Sequence, residues 1–216
     1  MASLESRLLL VTDRQQTNGR PLISVLSQAL KAGSPAIQLR ERDLSAKDLL
    51  ALAHEIQQMT EPRSGHLVIN DRLDVALSLK GAGVHLRSNS LPVSVVRRLI
   101  GRRRLLGVSV HSVSEAVQAE AGGADYIVLG PIYATPSKHM YGPPLGVSTL
   151  EEAARAVRVP IIGIGGVNAA RARDMRLAGA FGVAVVTAVL GAEDVEAATR
   201  ALLDAVTSSS SSALPS

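Results

Sequence analysis

The stretch Tyr126-Ile-Val-Leu-Gly-Pro-Ile-Tyr-Ala-Thr-Pro-Ser-Lys138 begins as four apolar residues and then breaks at Gly130-Pro131. The apolar part predicts a buried strand over residues 126–129, which the glycine–proline pair ends. Two hydroxyls and a cation follow the strand, on Thr135, Ser137 and Lys138. Such groups at the carboxyl end of a strand suit an anionic, phosphorylated substrate, although a surface loop with an ordinary lysine would have the same composition.

The loop after this strand is predicted to extend from residue 131 to about residue 147. A turn between a strand and a helix usually has about 2–6 residues, and longer loops are usually functional. The length of this loop therefore favours a role in binding a ligand.

Apolar runs of the same kind occur eight times along the chain, and each is followed by a helical pattern. The predicted strands are 8–12, 36–40, 66–70, 83–86, 105–109, 126–130, 160–165 and 182–186. The predicted helices are 21–32, 45–59, 73–79, one that starts at Pro92, 112–121, 148–157, 168–178 and 194–206. This alternation predicts an α/β protein with a single (β/α)8 TIM barrel over residues 1–207.

An open, doubly wound sheet is the alternative architecture. It usually has fewer strands and a glycine fingerprint after the first strand, whereas here the first strand ends in Thr12-Asp13-Arg14. No second domain or linker is predicted. The serine run at residues 208–216 is predicted to be a disordered tail.

The composition limits the class of function. Hydrophobic residues make up 46% of the chain and aromatic residues only 2%, so the core must be aliphatic, as suits a parallel sheet. The scarcity of aromatic rings argues against stacking of single-stranded nucleic acid, and the absence of cysteine excludes disulfides and thiolate chemistry. A net charge of +4 favours anionic small molecules. The apolar run near the start is too short for a signal peptide or membrane helix, so we expect a cytoplasmic protein without membrane contact.

The second predicted strand carries the most specific pattern. Because side chains alternate along a strand, Gln38, Arg40 and Arg42 share one face. Ile37 and Leu39 take the other face, which should pack against the helices. One amide and two guanidiniums then point into the barrel mouth, where unpartnered cations would be costly to bury. A multiply charged anion is the natural occupant, and a salt-bridged structural network is the alternative.

The last two strands end in groups suited to phosphate. Ile162-Gly-Ile-Gly-Gly-Val167 lets the backbone approach an anion at Gly165 and Gly166, just before a helix. Val186 and Thr187 add an N–H group and a hydroxyl beside it. Phosphate often lies at these two loops in barrels of this kind, although the glycines could serve only tight packing.

Polar residues also follow the third and fifth strands. Asn70 is a neutral donor next to the Asp71 carboxylate, and together they could orient a phosphate oxygen and hold one Mg²⁺ ion, or merely cap a helix. Ser109 and His111 lie two residues apart on the fifth strand, and an isolated histidine is more often structural than catalytic. The arginines at 97–98 and 102–104 are predicted to form a solvated basic edge on the opposite face of the barrel rather than a nucleic-acid site.

A set of short motifs is spread in order over nearly the whole chain. The motifs are Val11-Thr-Asp13, Gln38-Leu-Arg-Glu-Arg42, Ile69-Asn-Asp-Arg72, Gly83-Val-His-Leu86, Gly107-Val-Ser-Val-His111, Gly123-Ala-Asp-Tyr126, Gly130-Pro-Ile-Tyr133, Thr135-Pro-Ser-Lys138, Ile164-Gly-Gly166 and Gly182-Val-Ala-Val-Val-Thr187. Together they resemble the thiamine phosphate synthase superfamily, which includes the thiazole tautomerases. Thiamine phosphate synthases join a pyrimidine methyl diphosphate to a thiazole phosphate and release pyrophosphate.

The resemblance implies a role for each matching residue. The diphosphate would be held by Gln38, Arg40, Arg42, Asn70, Ser109 and Lys138, of which Arg40, Ser109 and Lys138 are the predicted catalytic residues. The thiazole phosphate would be held by Thr135, Ser137, Gly165, Gly166, Val186 and Thr187. Asp71 would bind Mg²⁺. The partners are therefore phosphorylated pyrimidine and thiazole molecules, and the sequence leaves the oligomeric state open, a homodimer included.

The chain departs from the synthase pattern after the fourth strand. Synthases usually have Gly-Gln-x-Asp there, and that Asp is a second metal ligand, but this chain reads His85-Leu-Arg-Ser-Asn-Ser90. Since Ser90 supplies no charge, Mg²⁺ is expected to bind weakly, through Asp71 and the substrate's own oxygens. Our hypothesis is that Arg87 supplies part of the missing charge; alternatively, it points to solvent. The lysine usual in the second strand is Arg42, a milder change.

The altered metal position gives weight to the tautomerase branch, which needs no metal. That branch is expected to place a histidine just after the sixth strand, where this chain has Pro131. His111 or His139 would then have to transfer the proton. Condensation remains the leading function. A protein that binds thiazole phosphate or thiamine phosphate without turnover, and another phosphate-binding barrel enzyme such as an epimerase, complete the alternatives.

Overall fold

The structure is a computed structural model that describes residues 3–33, 35–60, 66–135 and 143–207. Its strands form a closed parallel barrel in which neighbours follow sequence order and the last strand pairs with the first. The strands are β1 Leu8–Val11, β2 Ala36–Leu39, β3 Leu67–Asn70, β4 Gly83–Leu86, β5 Leu106–Val110, β6 Tyr126–Leu129, β7 Ile161–Ile164 and β8 Gly182–Val185. The predicted (β/α)8 TIM barrel is confirmed. The predicted tail at 208–216 lies outside the described residues.

Helices follow every strand and surround the barrel. They are α1 Leu22–Ala32, α2 Ala46–Thr60, α3 Leu73–Ser78, α4 Val93–Ile100, α5 Val113–Ala121, α6 Gly146–Ala156, α7 Ala169–Leu177, α8 Thr187–Leu190 and α9 Val195–Thr207. The sequence did not predict α8, because a helix of four residues is too short to show a periodic pattern. A 3-10 turn at Arg14–Gln16 was also not predicted. None of the helices in the described ranges is long and apolar enough to cross a membrane.

The alternation along the strands divides the core into two layers. Side chains such as Ile37 and Leu39 pack between the sheet and the helices. Others point inward and fill the barrel, among them Leu9, Tyr126 and Ile162. The predicted faces of β2 are thereby confirmed, and the apolar filling of the barrel forms the floor on which the polar strand ends lie.

Part of the prediction for the basic cluster is wrong. Arg97 is buried, with only 8% of its surface exposed, and its Nη2 donates to Asp125 Oδ2 over 2.6 Å. Arg104 is half-buried and donates from Nη1 to the backbone oxygens of Ala76 and Ala82. These two arginines link elements within the barrel because each finds acceptors that are distant in sequence. The exposed members of the cluster are Arg98, Arg102 and Arg103.

Candidate active site

A cavity of about 610 Å³ opens at the carboxyl ends of the strands, and a smaller pocket of about 190 Å³ adjoins it. Most of the predicted site residues line the large cavity: Gln38, Arg40, Arg42, Asn70, Ser109, Thr135, Gly165, Gly166, Val186 and Thr187. Asp71 lines the smaller pocket, together with Arg42, Asn70 and Arg87. Ser137, Lys138 and His139 lie outside the described residues. The structure therefore brings the described members of the predicted set to one mouth.

The cavity has two chemically different ends. The guanidinium end presents polar and charged side chains from β2 and the loop after it, β3 and β5, namely Gln38, Arg40, Arg42, Asn70 and Ser109. The glycine end presents backbone and hydroxyls from the loops after β6, β7 and β8, namely Thr135, Gly165, Gly166, Val186 and Thr187.

Arg40 is the central cation of the guanidinium end. Its Nη2 lies 3.2 Å from Asp13 Oδ2, and its backbone N–H donates to Thr12 Oγ1. Burial, reinforced by the nearby charge of Arg42, lowers the pKa of Arg40 below its usual value. Its buried Nε has no hydrogen-bond partner within the described part of the chain. Because an unsatisfied buried donor is costly, this arrangement is one that an anion would complete.

The amide side chains of Gln38 and Asn70 form a hydrogen-bonded pair beside Arg40. Gln38 and Asn70 are both buried, and Gln38 Nε2 donates to Asn70 Oδ1 over 3.0 Å. This bond uses the Asn70 oxygen, so Asn70 offers its amide N–H groups as the donors at the cavity wall. The pair adds neutral donors to the positive charge of the two arginines.

Ser109 is held from below by two buried side chains. His85 Nε2 lies 2.8 Å from Ser109 Oγ, and His85 Nδ1 lies 3.0 Å from the Tyr126 hydroxyl. Burial lowers the pKa of His85 to about 3 and raises the pKa of Tyr126 above its usual value. Both groups are therefore neutral at physiological pH.

The chain of bonds has a direction. If Tyr126 donates to His85 Nδ1, the His85 proton lies on Nε2 and donates to Ser109 Oγ. In the opposite direction the buried Tyr126 hydroxyl proton would have no acceptor among these three residues, which is costly. The favoured direction leaves the Ser109 hydroxyl proton to donate into the cavity, as an anion requires.

Gly107 makes this chain possible. His85, Gly107 and Tyr126 are register partners on three adjacent strands. A Cβ on Gly107 would lie 2.1 Å from Tyr126 Cζ, so the absence of a side chain there makes the space that the tyrosine ring fills. The ring crosses over β5, and its hydroxyl reaches His85 on the far side.

The glycine end depends on backbone shape. Gly165 and Gly166 have φ angles of +104° and +61°, in the region that favours glycine. A Cβ on Gly165 would lie 2.7 Å from Pro131 Cβ, and one on Gly166 would lie 2.7 Å from the Ala134 backbone oxygen. The loop after β7 thus packs directly on the loop after β6, and both line the cavity.

The start of α7 secures this loop. Asn168 caps the helix by accepting from Arg171 N over 2.9 Å. Arg171 turns back so that Nη1 donates to Gly166 O over 2.7 Å and its guanidinium stacks on the Tyr133 ring. Because the Gly166 carbonyl oxygen accepts this hydrogen bond, the turn presents less partial negative charge to the cavity.

Asp71 forms a corner between the two pockets. Its φ of +62° is rare for a residue with a side chain. Its Oδ2 accepts from Arg87 Nε at 3.0 Å and pairs with Arg87 Nη2 at 2.9 Å, while its Oδ1 accepts from the Ser90 hydroxyl. Ser90 Oγ in turn accepts from Arg87 N at 2.9 Å. Arg87 is therefore paired with Asp71, and its side chain is only partly exposed to solvent.

This corner bears on the predicted Mg²⁺ ion. Magnesium is usually bound through one or two carboxylates together with substrate phosphates. Both Asp71 oxygens are already engaged, and no group of three or more His, Cys, Asp or Glu side chains is placed to hold a metal ion among the described residues. The residues present do not fit a cation at Asp71 unless Arg87 moves away.

His111 lies at the rim, where the tautomerase alternative would need it. Its Nδ1 lies 2.5 Å from Gly130 O, and its backbone N–H donates to Glu115 Oε2 over 2.7 Å. Because a carbonyl only accepts, Nδ1 carries a proton, and the neutral ring has Nε2 as its basic atom. The histidine is oriented by its neighbours, and it lines the cavity.

Several cavity residues were not among the predicted site residues. They include Val11, Asp13, Gln16, Ser88, Asn89, Val128 and Ala188. The sequence contains a signal for Asp13, because this carboxylate follows the first strand as Asp71 follows the third. Ser88 and Asn89 had none, because only the folded loop after β4 brings them to the wall.

A (β/α)8 barrel with a cationic, glycine-edged cavity at its strand ends defines the class of protein. The family model described as thiamine monophosphate synthase matches residues 8–189, and the chain belongs to that family.

Similar proteins agree with this assignment. The thiamine-phosphate synthase of Roseiflexus castenholzii is 47% identical over 90% of this chain and 85% of that protein. The thiamine-phosphate synthase of Moorella thermoacetica is 43% identical over 93% of this chain and 95% of that protein. The solved thiamine phosphate pyrophosphorylase from Pyrococcus furiosus is 32% identical and superposes with a TM-score of 0.84, covering 93% of this chain and 95% of that one.

Proposed function

We propose that this chain condenses hydroxymethylpyrimidine diphosphate with a thiazole phosphate to give thiamine phosphate and pyrophosphate. The observation that carries the proposal is a single cavity with arginines at one end and glycine backbone with hydroxyls at the other, two arrangements suited to anions. A reaction between a diphosphate ester and a phosphate ester needs two such ends within one site. Membership of the thiamine monophosphate synthase family supports the same activity.

The guanidinium end would hold the diphosphate. In the reaction, the bond between the pyrimidine methylene carbon and the diphosphate oxygen breaks, and its electron pair leaves with pyrophosphate. Negative charge therefore grows on the leaving group, where Arg40, Arg42 and the Asn70 amide would stabilise it. The Ser109 hydroxyl would donate a hydrogen bond to the same group. Lys138, outside the described residues, would add a further cation.

The glycine end would hold the thiazole phosphate and keep the ring over the pyrimidine. Its groups are Thr135, Ser137, the Gly165–Gly166 backbone, Val186 N and Thr187. The thiazole nitrogen then forms the new bond to the methylene cation. The reaction needs no nucleophile or general base from the protein, so positioning and charge account for the catalysis.

We infer further that the partners are these small molecules rather than nucleic acid, and that the reaction takes place in the cytoplasm. The exposed arginines 98, 102 and 103 are not among the residues that line the cavity. The homodimer stays a prediction, which sedimentation of the purified protein would check.

Two observations favour thiazole tautomerisation as a second candidate. His111 lines the cavity with Nε2 as its basic atom, and the second carboxylate of the synthase pattern is replaced by Ser90. In that reaction His111 would move a proton on the thiazole carboxylate phosphate. His139, the other histidine considered, lies outside the described residues.

A pyrophosphate-release assay tests the proposal. Purified protein is mixed with both substrates, and each is omitted in turn. We expect release only when both are present, with stoichiometric thiamine phosphate. No release by folded protein would contradict condensation; conversion of the thiazole carboxylate phosphate would then support the tautomerase. Tight calorimetric binding of thiamine phosphate without any turnover would indicate a binding protein.

A further inference from the structure

The corner made by Asp71, Arg87 and Ser90 holds a fixed positive group where the family resemblance predicts a metal ion. Arg87 contacts Asp71 Oδ2 through both Nε and Nη2, which is a charge-assisted pairing of the strong kind. Ser90 closes the arrangement by donating to Oδ1 while accepting from Arg87 N. Side-chain exposures of 36% for Arg87 and 29% for Asp71 place the pair at the wall rather than in open solvent.

The charges of the corner balance without a metal. In the synthase pattern, two carboxylates and one Mg²⁺ ion sum to zero. Here one carboxylate, one neutral hydroxyl and one guanidinium also sum to zero. The replacement of the second carboxylate by Ser90 and the presence of Arg87 are therefore complementary changes, since either alone would leave the corner with a net charge.

Arg87 also reaches the ligand space. It lines both the large cavity and the adjoining small pocket, as do Arg42 and Asn70. The bond pair to Asp71 uses Nε and Nη2, whereas a guanidinium has five N–H groups. Arg87 can thus stay on Asp71 and donate its remaining N–H groups to an anion beside Arg42.

We propose that Arg87 replaces the metal ion at Asp71, so that this chain binds the diphosphate group of its substrate with a resident guanidinium and without a required Mg²⁺ ion. The inference rests on the proposed function for the identity of the substrate. Asp71 then positions Arg87 rather than ligating a metal, and its unusual backbone conformation serves to aim the carboxylate at the guanidinium.

The test measures pyrophosphate binding by calorimetry, with chelator and then with excess Mg²⁺. For the unmodified protein we expect binding in chelator, and a Kd that Mg²⁺ changes by less than about threefold. Arg87→Ala should weaken binding in chelator roughly tenfold or more, because a charged hydrogen-bond donor is lost. Added Mg²⁺ should restore much of that loss, because Asp71 is then available to the ion.

Three further variants sharpen the result. Arg87→Lys keeps the charge and should retain part of the affinity in chelator, which separates charge from a folding defect. The double change Arg87→Gly with Ser90→Asp recreates the carboxylate pair and should make pyrophosphate binding depend on Mg²⁺. Arg200→Ala removes one arginine of an exposed ion pair on α9 and should behave like the unmodified protein.

Mg²⁺ also complexes free pyrophosphate, so the ratio of affinities is compared between variants rather than read from one protein. A titration with Mn²⁺ alone, followed by electron paramagnetic resonance, gives an independent readout. It should detect a bound ion in the double variant and none in the unmodified protein. Binding only with Mg²⁺, full affinity of Arg87→Ala in chelator, or no pyrophosphate binding in either condition would each overturn the proposal.

Turnover measured on the same samples separates this inference from the proposed function. Condensation that strictly requires Mg²⁺ and is unaffected by Arg87→Ala would refute the inference and leave the function intact. Metal-independent pyrophosphate binding that is lost in Arg87→Ala, with no condensation by the unmodified protein, would do the reverse.

Discussion

The guanidinium end and the glycine end of the cavity differ in the atoms that face a ligand. At the first, the arginines just after β2 bring charge, and the half-buried Arg40 has an Nε without a hydrogen-bond partner among the described residues. At the second, two glycines with positive φ bring backbone close, and no arginine or lysine among the described residues lines that end. One end therefore depends on which side chains are present, and the other on which are absent.

This difference predicts opposite costs for the fold. Desolvation of Arg40 beside Arg42 opposes folding, and the ion pair with Asp13 offsets only part of that cost, so the guanidinium end should reduce stability in return for affinity. A tight glycine turn carries no such charge penalty. Substitutions at the two ends should therefore change stability and binding in different combinations.

The largest effect is expected for Arg40→Met. Loss of the central cation should weaken pyrophosphate affinity roughly 100-fold, since charged hydrogen bonds contribute about 1.5–3 kcal/mol each. The free energy of unfolding should change little, because the gain from removing a desolvated charge is offset by the loss of the ion pair with Asp13. Calorimetry and urea unfolding measure the two quantities.

Arg40→Lys is the matched control for this change. It keeps the charge but loses the planar fork, so it should recover only part of the affinity. If Arg40→Met instead lost stability by several kcal/mol with little loss of affinity, Arg40 would be part of a structural network, as the alternative interpretation of β2 holds.

The next largest effect is expected for Gly166→Ala. The added Cβ would meet the Ala134 backbone oxygen at 2.7 Å, so the loops after β6 and β7 must separate. The KM for thiazole phosphate should rise about tenfold, while the pyrophosphate Kd should not change. Steady-state kinetics and calorimetry would show whether the two ends are independent.

Gly101→Ala controls for backbone strain alone. Gly101 has a similar φ of +67°, but nothing lies within 4 Å of the position its Cβ would take. It should lose about 1–3 kcal/mol of stability, because its ψ of −169° places it in a region that is essentially restricted to glycine, with normal kinetics. Equal kinetic defects in both variants would show that the contact at Ala134 is irrelevant.

A smaller effect is expected for Tyr126→Phe, which removes one hydroxyl and keeps the ring. His85 Nδ1 would lose its partner, at a cost of about 1–3 kcal/mol in the free energy of unfolding. Ser109 would no longer be oriented by a fixed tautomer, so pyrophosphate affinity should fall about threefold. Urea unfolding and calorimetry measure the two losses.

A double-mutant cycle with Ser109→Ala tests the direction of the chain. In that background, Tyr126→Phe should still reduce stability, but its effect on pyrophosphate affinity should vanish. An unchanged affinity effect would mean that Tyr126 acts on the guanidinium end by some route other than Ser109.

The last expected effect concerns the free energy of unfolding and not binding. It is a pH dependence that arises from His85, which lies beneath the guanidinium end. The pKa of His85 is about 3 in the folded protein and about 6.5 in an unfolded chain, so the unfolded state binds the extra proton between these values. The stabilising contribution of neutral His85 is fully present above about pH 6.5. It decreases as the pH falls toward 3, by on the order of 1 kcal/mol per pH unit.

His85→Gln should flatten this slope. The comparison belongs between about pH 7 and 5, where most carboxylates are still ionised. The same dependence of unfolding free energy on pH for both proteins would mean that folding does not lower the pKa of His85.

The sequence was most informative where a simple period governs the structure. The two-residue alternation of β2 placed Gln38 and Arg40 at the cavity and Leu39 against the helices. The two glycines after β7 predicted a backbone that can approach a ligand closely. That prediction depends only on local sequence and not on distant residues. The barrel itself followed from repeated units of the same kind.

The sequence was least informative where two loops meet. The contact of Arg87 with Asp71 depends on the left-handed backbone at Asp71 and on the loop after β4, and no local pattern encodes either. Arg97 was misassigned because its partner Asp125 lies far along the chain. The depth of His85 beneath Ser109 depends on the register of adjacent strands, which periodicity alone does not give.

The contact of the Tyr126 ring with Gly107 has a consequence for how this protein can change over time. A side chain at position 107 has no room while the ring is present, and a smaller residue at position 126 would leave a void in the barrel and a histidine without its partner. Neither residue can be substituted first without a loss of stability. Positions 85, 107 and 126 should therefore be inherited as one unit, and a library that randomises position 107 alone should return only glycine.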